Sequence, residues 1–212
     1  PRSFDANSPL FGLVGVRGAG KTVMLAVMQR ELYSTIARRF EASIDSPGGK
    51  VGLAGELEDL LNGMEGSKGE LPLKTIAASS GMKEPAVFEW RFSKKSIGGR
   101  MSRDVSTILS FYDSAGEDLD SEDRALGLHY LAATSGVILL LDPFGFAGNR
   151  DRARARGVDP NSLTTSPESV LRALTVVLQT AEKTKKNKKI KQPVAVVVSK
   201  IDAFFDDIPP DH

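Results

Sequence analysis

A glycine-rich segment near the beginning of the chain limits the fold more than any other feature. Its eight residues match the pattern GxxxxGK[ST] at every fixed position. They are Gly15, Val16, Arg17, Gly18, Ala19, Gly20, Lys21 and Thr22. The apolar residues 10–14 before it predict a buried strand, and residues 22–40 after it carry apolar side chains at helical spacing. A strand, a tight turn and a helix in this order form half of a βαβ unit.

Each residue type in this segment suits the binding of a polyphosphate. The glycines allow backbone angles that turn successive N–H groups inward, and the following helix directs its positive dipole end at the same point. Lys21 supplies a positive charge for the β- and γ-phosphates, and the Thr22 hydroxyl is suited to ligate Mg²⁺. A glycine-rich turn without a ligand is the simpler alternative, but the strand before it and the helix after it favour a phosphate site. We therefore predict that residues 15–22 bind a nucleoside triphosphate with Mg²⁺.

The rest of the chain alternates between strand-like and helix-like patterns. Further strands are predicted at residues 86–94, 105–112, 136–141 and 194–198. Further helices are predicted at residues 121–134 and 167–186. The first two of these strands are expected to form an antiparallel hairpin, and the last two are expected to be buried. The alternation predicts a three-layer α/β fold of the P-loop NTPase type, with helices on both faces of a mostly parallel sheet that contains one antiparallel strand.

Two stretches interrupt this alternation. Residues 45–85 form a long connection rich in glycine and proline, with a short helix at about residues 55–62. Residues 144–165 are predicted to be a loop, and this loop carries four arginines at alternate positions from Arg150 to Arg156. We treat both stretches as inserts in a single domain that covers residues 1–212. The fold is expected to continue past residue 212, because a strand lies close to that end.

A second candidate motif follows the predicted strand at residues 105–112. It consists of Asp113, Ser114, Ala115 and Gly116. A carboxylate at this place can hold Mg²⁺ opposite Thr22, and the Gly116 N–H can meet a γ-phosphate. An aspartate that caps a helix next to a turn glycine is the alternative. The position at a strand end, after the phosphate segment in the chain, favours the metal site.

A third candidate motif follows directly after the predicted strand at residues 194–198. It consists of Ser199, Lys200, Ile201 and Asp202. The Asp202 carboxylate can accept hydrogen bonds from the N1–H and N2–H₂ donors of guanine, a pair that adenine lacks, and so select GTP over ATP. The aliphatic stem of Lys200 can lie across the base. A surface lysine and aspartate beyond a strand are the alternative, and the order of the three motifs favours base recognition.

In this order, the three motifs resemble those of the translation-factor-related and Ras-like (TRAFAC) class of P-loop GTPases, over about residues 10–202. The string from Asp113 to Glu117 and the long inserts are most similar to the prokaryotic double-GTPase (DO-GTPase) group. The resemblance implies that residues 15–22 are the phosphate loop, that residues 113–116 begin the second switch, and that residues 199–202 recognise guanine. It also implies a protein effector or regulator as a partner, and a nucleotide-dependent dimer.

The chain departs from the pattern of this class at three positions. The class usually has Asn or Thr at the place of Ser199, and a serine hydroxyl can still form a hydrogen bond there. Many members have a water-orienting Gln at the place of Glu117, and a carboxylate beside a γ-phosphate implies slow hydrolysis. Many also have Gly at the place of Arg17, where an arginine could stabilise transition-state charge or exclude an activator's arginine. The sequence leaves these two roles of Arg17 open.

The resemblance also implies a first switch that supplies a threonine to Mg²⁺ and to the γ-phosphate. This threonine should lie between the first helix and the strand at residue 86. Thr75 is the threonine at such a place, and Ser79 and Ser80 compete with it. A solvated loop threonine is the equally simple alternative.

Charge and composition exclude several classes of function. The formal net charge is +1, so bulk electrostatics indicates neither nucleic acid nor a membrane surface as a partner. The lysine-rich residues 183–191 and the arginine run could attract an acidic partner, but such runs are more often solvated. The chain has no cysteine, which excludes disulfides and thiolate chemistry and fits a reducing, cytoplasmic location.

The predicted function is that of a GTP-binding switch that hydrolyses GTP to GDP slowly with Mg²⁺. Lys21, Arg17 and Glu117 would act on the reacting phosphates, and the γ-phosphate would order the segments around Thr75 and Gly116. Two alternatives stay open. The chain could be a P-loop ATPase or a kinase-like ATP binder, or a nucleotide-loaded interaction module that does not hydrolyse its ligand.

Overall fold

The chain divides into two compact units. The computed structural model describes residues 8–16, 18–46, 53–66, 85–95, 102–113, 130–131, 133–157, 165–181 and 189–204. Unit 1 comprises Pro1–Phe11 and Thr22–Asp113, and unit 2 comprises Gly12–Lys21 and Ser114–His212. That residues 1–212 are one domain with two inserts stays a prediction.

Six strands form one sheet in the order β2-β3-β4-β1-β5-β6. They are β1 (Leu10–Gly15), β2 (Ala42–Asp45), β3 (Ala86–Lys95), β4 (Ser102–Asp113), β5 (Gly136–Leu141) and β6 (Val194–Val198). β3 runs antiparallel to both of its neighbours, β2 and β4, whereas β5 and β6 are parallel. This confirms the predicted α/β fold class, with a mostly parallel sheet that contains one antiparallel strand.

The helix that follows the glycine-rich segment has three parts. α1 (Lys21–Glu31) continues through a π-helical turn (Leu32–Ile36) into α2 (Ala37–Arg39). The predicted helix at residues 22–40 is therefore confirmed, but the π turn in its middle was not expected. Apolar spacing does not distinguish a single wide turn from the regular helix around it.

The short strand β2 was missed in the sequence. It pairs with β3 from Ala42 opposite Phe92 to Asp45 opposite Glu89. Four residues carry too few side chains to reveal a period of two, and none of the four is fully buried. The long neighbouring strand, rather than a pattern of its own, makes this segment a strand.

β3 and β4 form the predicted antiparallel hairpin, which is paired along the whole length of β3. Its inner face contributes Phe88, which is fully buried, and Phe111, whose ring centroid lies 6.0 Å from that of Phe88. Phe111 also stacks on Phe11 with a centroid distance of 5.4 Å. These aromatic rings form the centre of the core of unit 1.

The helix predicted within the long connection is present and is longer than expected. α3 (Leu53–Gly66) extends on both sides of the predicted residues 55–62. It buries Leu57 completely, and the carbonyl of Ala54 accepts a 3.3 Å hydrogen bond from Gln29 Nε2 of α1. Residues 47–52 and 67–84 of the connection lie outside the described residues.

The core of unit 2 lies between strands and the helix α5 (Pro167–Ala181). The buried residues of α5 recur at positions three and four apart, so one stripe of the helix faces the core. They are Val170, Ala173, Leu174, Val177 and Leu178. This stripe packs with Val14 of β1 and with Val137 and Leu139 of β5. The helix predicted at residues 167–186 is confirmed as far as Ala181, and residues 121–129 of the other predicted helix lie outside the described residues.

The prediction that residues 194–198 form a buried strand is wrong with respect to burial. The strand is present as β6, but the exposed fractions of Val194, Val196 and Val198 are 38%, 58% and 46%. Among the described strands, β6 is the last of the sheet order and pairs with β5. A run of valines shows that a segment suits a strand, but it does not show whether a second layer covers that strand.

The prediction of an irregular loop at residues 144–165 is also wrong in its first part. The chain forms short 3₁₀ turns at Pro143–Gly145 and Ala147–Asn149 and then the helix α4 (Arg150–Ala155). The arginine run therefore lies largely on a helix, in which Ala153 is completely buried. Arg154 forms a 2.8 Å ion pair with Asp151 of the same helix, a local contact that favours the helical form.

Candidate functional site

The glycine-rich segment forms a turn between the end of β1 and the start of α1. Gly18 and Gly20 have φ angles of +76° and +89°, which residues with a side chain rarely adopt. The turn is closed by a 3.1 Å hydrogen bond from the Ala19 N–H to the Val16 carbonyl. A Cβ atom placed on either glycine would meet no heavy atom within 4 Å, so the two glycines are required by backbone conformation rather than by crowding.

Gly15 is required for a different reason. A Cβ atom at this position would lie 2.6 Å from the backbone oxygen of Leu140 in β5. A contact this short with main-chain atoms forces the two strands apart, since neither side can rotate away. The close approach brings the start of the turn against the carboxyl end of β5.

We expect Gly15→Ala to destabilise the fold of unit 2 by about 1–3 kcal/mol, because it overpacks the contact between β1 and β5. The midpoint of urea unfolding would fall accordingly. Gly148→Ala is the matched control, since a Cβ atom at Gly148 meets nothing within 4 Å. Equal midpoints for the two variants would contradict the close contact.

Lys21 is the first residue of α1, and its side chain returns over the turn. Its ammonium donates hydrogen bonds to the carbonyls of Gly15, at 2.8 Å, and Val16, at 3.1 Å. The residue is only 8% exposed. A buried ammonium is costly unless hydrogen bonds compensate for lost water, and these carbonyls do so. The charge is therefore held at the turn itself, where the N-terminus of α1 adds its positive end.

Two of the three residues predicted to hold Mg²⁺, Thr22 and Asp113, are in unit 1. Thr22 is the second residue of α1, and Asp113 is the last residue of β4. A hydroxyl and a carboxylate are hard oxygen ligands, which is the donor chemistry that Mg²⁺ prefers. Among the described residues, no three histidine or acidic side chains cluster into a metal site.

The third motif follows β6 and is fixed to the end of β5. The Ser199 N–H and the Ser199 hydroxyl both donate to the carbonyl of Leu141, at 2.9 and 3.1 Å. The end of β5 thus lies beside two candidate motifs. Leu140 lies beside Gly15, and Leu141 lies beside Ser199. The carboxyl ends of neighbouring parallel strands are the usual place for a ligand in an open α/β sheet.

Lys200 has an unusual backbone conformation and a fixed side chain. Its φ angle is +52°, in the left-handed region that costs a residue with a side chain roughly 1 kcal/mol or more. Its ammonium lies 2.5 Å from Oδ2 of Asp142 and 5.9 Å from the centroid of the Phe144 ring. Asp142 is 2% exposed, and its other carboxylate oxygen accepts a 3.0 Å hydrogen bond from the Phe144 N–H. The left-handed conformation is therefore combined with an ion pair to a buried carboxylate.

Asp202 lies in the 3₁₀ turn Ile201–Phe204, which begins directly after Lys200. The side chain is exposed, and the turn is closed by a 3.1 Å hydrogen bond from the Ala203 N–H to the Lys200 carbonyl. Exposure leaves the carboxylate available to an incoming hydrogen-bond donor. This helical turn was not predicted, because four residues are too few for a helical period.

Several predicted site residues lie outside the described residues. These are Arg17, Thr75, Gly116 and Glu117, together with Ser79 and Ser80. Ser114 and Ala115 of the second motif lie outside them as well. The predicted roles of these residues stay predictions.

The structure adds three residues that the sequence analysis did not single out. Asp142 neutralises Lys200, and the rings of Phe144 and Phe204 pack together with a centroid distance of 5.4 Å. Asp142 had a visible signal, since it comes directly after the apolar run of β5 and so lies at the carboxyl edge of the sheet. The two phenylalanines had no such signal.

Several solved structures are similar to the chain, and one of them is a G domain. The chain is similar to the G domain of the T. maritima FeoB iron transporter, with 14% identity and a TM-score of 0.35. The match covers 96% of this chain and 78% of that one. No protein-family model and no curated protein sequence matches the chain. A likeness at this level leaves the function to be inferred from the chain's own residues.

No helix in the described part of the chain has the length and apolar character that a membrane span requires.

Proposed function

We propose that this chain binds GTP with Mg²⁺, hydrolyses it slowly to GDP, and acts as a switch. One observation carries the proposal. The end of β5 touches both the phosphate turn, through Leu140 and Gly15, and the 199–202 motif, through Leu141 and Ser199. A ligand with a triphosphate at one end and a base at the other suits two such motifs on one edge of unit 2.

The phosphates would be held by the chain's own backbone and by one ammonium. The positive φ angles of Gly18 and Gly20 suit a nest of N–H groups, which binds anions. Lys21 would keep its contacts to the turn and add a charge-assisted hydrogen bond to the phosphate oxygens. Thr22 and Asp113 would hold Mg²⁺, and this ion would supply charge neutralisation on the β- and γ-phosphates.

The guanine base would be recognised by the exposed carboxylate of Asp202. Guanine presents N1–H and N2–H₂ as adjacent donors, which match the two oxygens of one carboxylate. Adenine has a lone pair at N1, and a carboxylate repels it. The chain therefore favours GTP over ATP, and the resemblance of the three motifs to those of GTPases agrees with this preference.

Equilibrium titration with fluorescent GTP and ATP analogues in the presence of Mg²⁺ tests the base preference. We expect GTP to bind about a hundredfold more tightly than ATP, because guanine can donate two hydrogen bonds to the Asp202 carboxylate and adenine cannot. Equal affinities would identify a general triphosphate site and would contradict the role of Asp202. Removal of Mg²⁺ with a chelator should weaken binding of the triphosphate.

Single-turnover measurements test hydrolysis separately from binding. We expect GDP to form slowly and only with Mg²⁺, because Glu117 stands at the place of the water-orienting glutamine. Lys21→Ala protein that is purified by the same procedure is the control for a contaminating hydrolase. Tight GTP binding without any GDP formation would instead support the nucleotide-loaded interaction module.

A further inference from the structure

We propose that four residues, Asp142, Phe144, Arg152 and Arg156, form a brace that positions the 199–204 turn for base selection. Phe144, Arg152 and Arg156 come from the segment predicted to be a loop, which begins with 3₁₀ turns and α4, and Asp142 follows directly after β5. This inference rests on the proposed recognition of guanine by Asp202. Asp142 and Arg152 are therefore proposed as positioning residues, since they act through the turn rather than on the base itself.

The turn is held on its amino-terminal side by charge. The Lys200 ammonium is paired at 2.5 Å with Asp142, which is almost completely buried. A buried carboxylate that also caps the Phe144 N–H has little freedom to move, so it fixes the position of its partner. Lys200 is the residue whose stem is predicted to lie across the base.

The turn is held on its carboxyl-terminal side by a cation–aromatic stack. The Arg152 guanidinium carbon lies 4.8 Å from the centroid of the Phe204 ring, on which it can form a cation–π contact. Phe204 in turn packs on Phe144, which is 4% exposed and lies beside the Lys200 ammonium. The two ends of the turn are therefore joined to each other through the same buried ring.

A third contact reaches the backbone of the turn itself. Arg156 Nη2 donates a 3.3 Å hydrogen bond to the Ala203 carbonyl. Asp202 lies between the two ends that the brace fixes, and its own side chain is left exposed. Ordering the turn before the ligand arrives lowers the entropy cost of binding, because fewer residues have to be fixed at that moment. The brace should therefore act on the base and not on the phosphates.

The chain offers a matched control for this proposal. Arg154 lies on the same helix as Arg152, but its ion pair is with Asp151 of that helix. Arg154→Ala thus removes an arginine of α4 without touching the turn. Arg152→Lys is the conservative variant, because it keeps a cation near the Phe204 ring, and Asp142→Asn removes the charge but keeps an oxygen for the Phe144 N–H.

The first experiment measures the turn without any nucleotide. Amide hydrogen exchange at residues 201–204 should be about tenfold faster in Arg152→Ala than in the wild type, and unchanged in Arg154→Ala. Equal exchange in Arg152→Ala and the wild type would overturn the brace, whatever nucleotide the chain prefers. This outcome is therefore distinct from a failure of the proposed function, which appears as equal affinity of the wild-type chain for GTP and ATP.

The second experiment separates the base from the phosphates. Arg152→Ala and Asp142→Asn should each bind GTP and GDP about tenfold more weakly, while the affinity for inorganic tripolyphosphate with Mg²⁺ stays at the wild-type value. The preference for GTP over ATP, measured as the ratio of the two affinities, should decrease by the same factor. Arg152→Lys should recover part of the lost GTP affinity. Equal losses for GTP and tripolyphosphate would indicate general damage to unit 2 and would overturn the positioning role.

Discussion

Lys21→Ala is expected to weaken binding of GTP at least about a hundredfold, because it removes the ammonium that is buried at the phosphate turn. The neutral side chain leaves backbone N–H groups and the end of α1 to face four phosphate charges alone. The chain should stay folded, since alanine is a good helix former and the lysine carries a desolvation cost of its own. Titration with a fluorescent GTP analogue measures the affinity, and circular dichroism checks the fold.

Two further variants make this result specific. Lys21→Met keeps an apolar stem of similar length and should lose affinity to a similar extent, so that the loss can be assigned to the charge. Lys189→Ala removes an exposed lysine of unit 2 and should bind GTP like the wild type. Unchanged affinity in folded Lys21→Ala protein would remove the main support for a phosphate site at residues 15–22.

Asp202→Asn is expected to change the base preference of the chain from guanine to xanthine. The carboxamide presents one acceptor and one donor where the carboxylate presents two acceptors, so it clashes with the N2–H₂ group of guanine. GTP affinity should fall about a hundredfold, while XTP affinity should rise, because xanthine has a 2-oxo group that can accept from the new N–H donor. Competition of GTP and XTP against one fluorescent nucleotide gives both values in a single measurement.

The exchange of preference distinguishes base recognition from a general electrostatic effect. If Asp202 contributed only negative charge, its neutralisation would strengthen the binding of every nucleotide to a similar degree. Asp151→Asn is the control, since this aspartate is exposed on α4 and pairs only locally with Arg154. An Asp202→Asn variant that binds GTP and XTP as the wild type does would exclude Asp202 from the base site.

Much of the fold could be predicted because its signals are local. The strands at residues 10–14, 86–94 and 136–141 are runs of apolar or alternating residues, and each is present in the sheet. β2 and the 3₁₀ turn Ile201–Phe204 were missed because both are too short to carry a period. The helix α4 was missed because an arginine-rich sequence resembles a solvated loop. The Phe204 ring, on which Arg152 packs, is 52 residues away in the sequence, so no local pattern reveals the contact.

Burial was harder to predict than secondary structure. The valines of β6 suit a strand by their branched side chains, but their burial depends on whether another layer packs over them, and Val194, Val196 and Val198 are exposed. Asp142 differs from its sequence-based expectation in the opposite direction. A charged residue is nearly always exposed unless it is paired, and Asp142 is buried. Its partner, Lys200, is separated from it by 58 residues.

The sequence by itself determined the glycine-rich turn, because its glycines and Lys21 lie within one short segment and its backbone conformation needs no distant partner. It also determined the candidate base-selecting carboxylate, Asp202, from its order after a strand. Only the tertiary structure decided that the end of β5 touches both the glycine-rich turn and the 199–202 motif. It also decided that Arg152 of α4 contacts Phe204, at the end of the turn that follows. The physical reason is that strand pairing and ion pairs between distant residues depend on how the chain packs, and no local pattern records that packing.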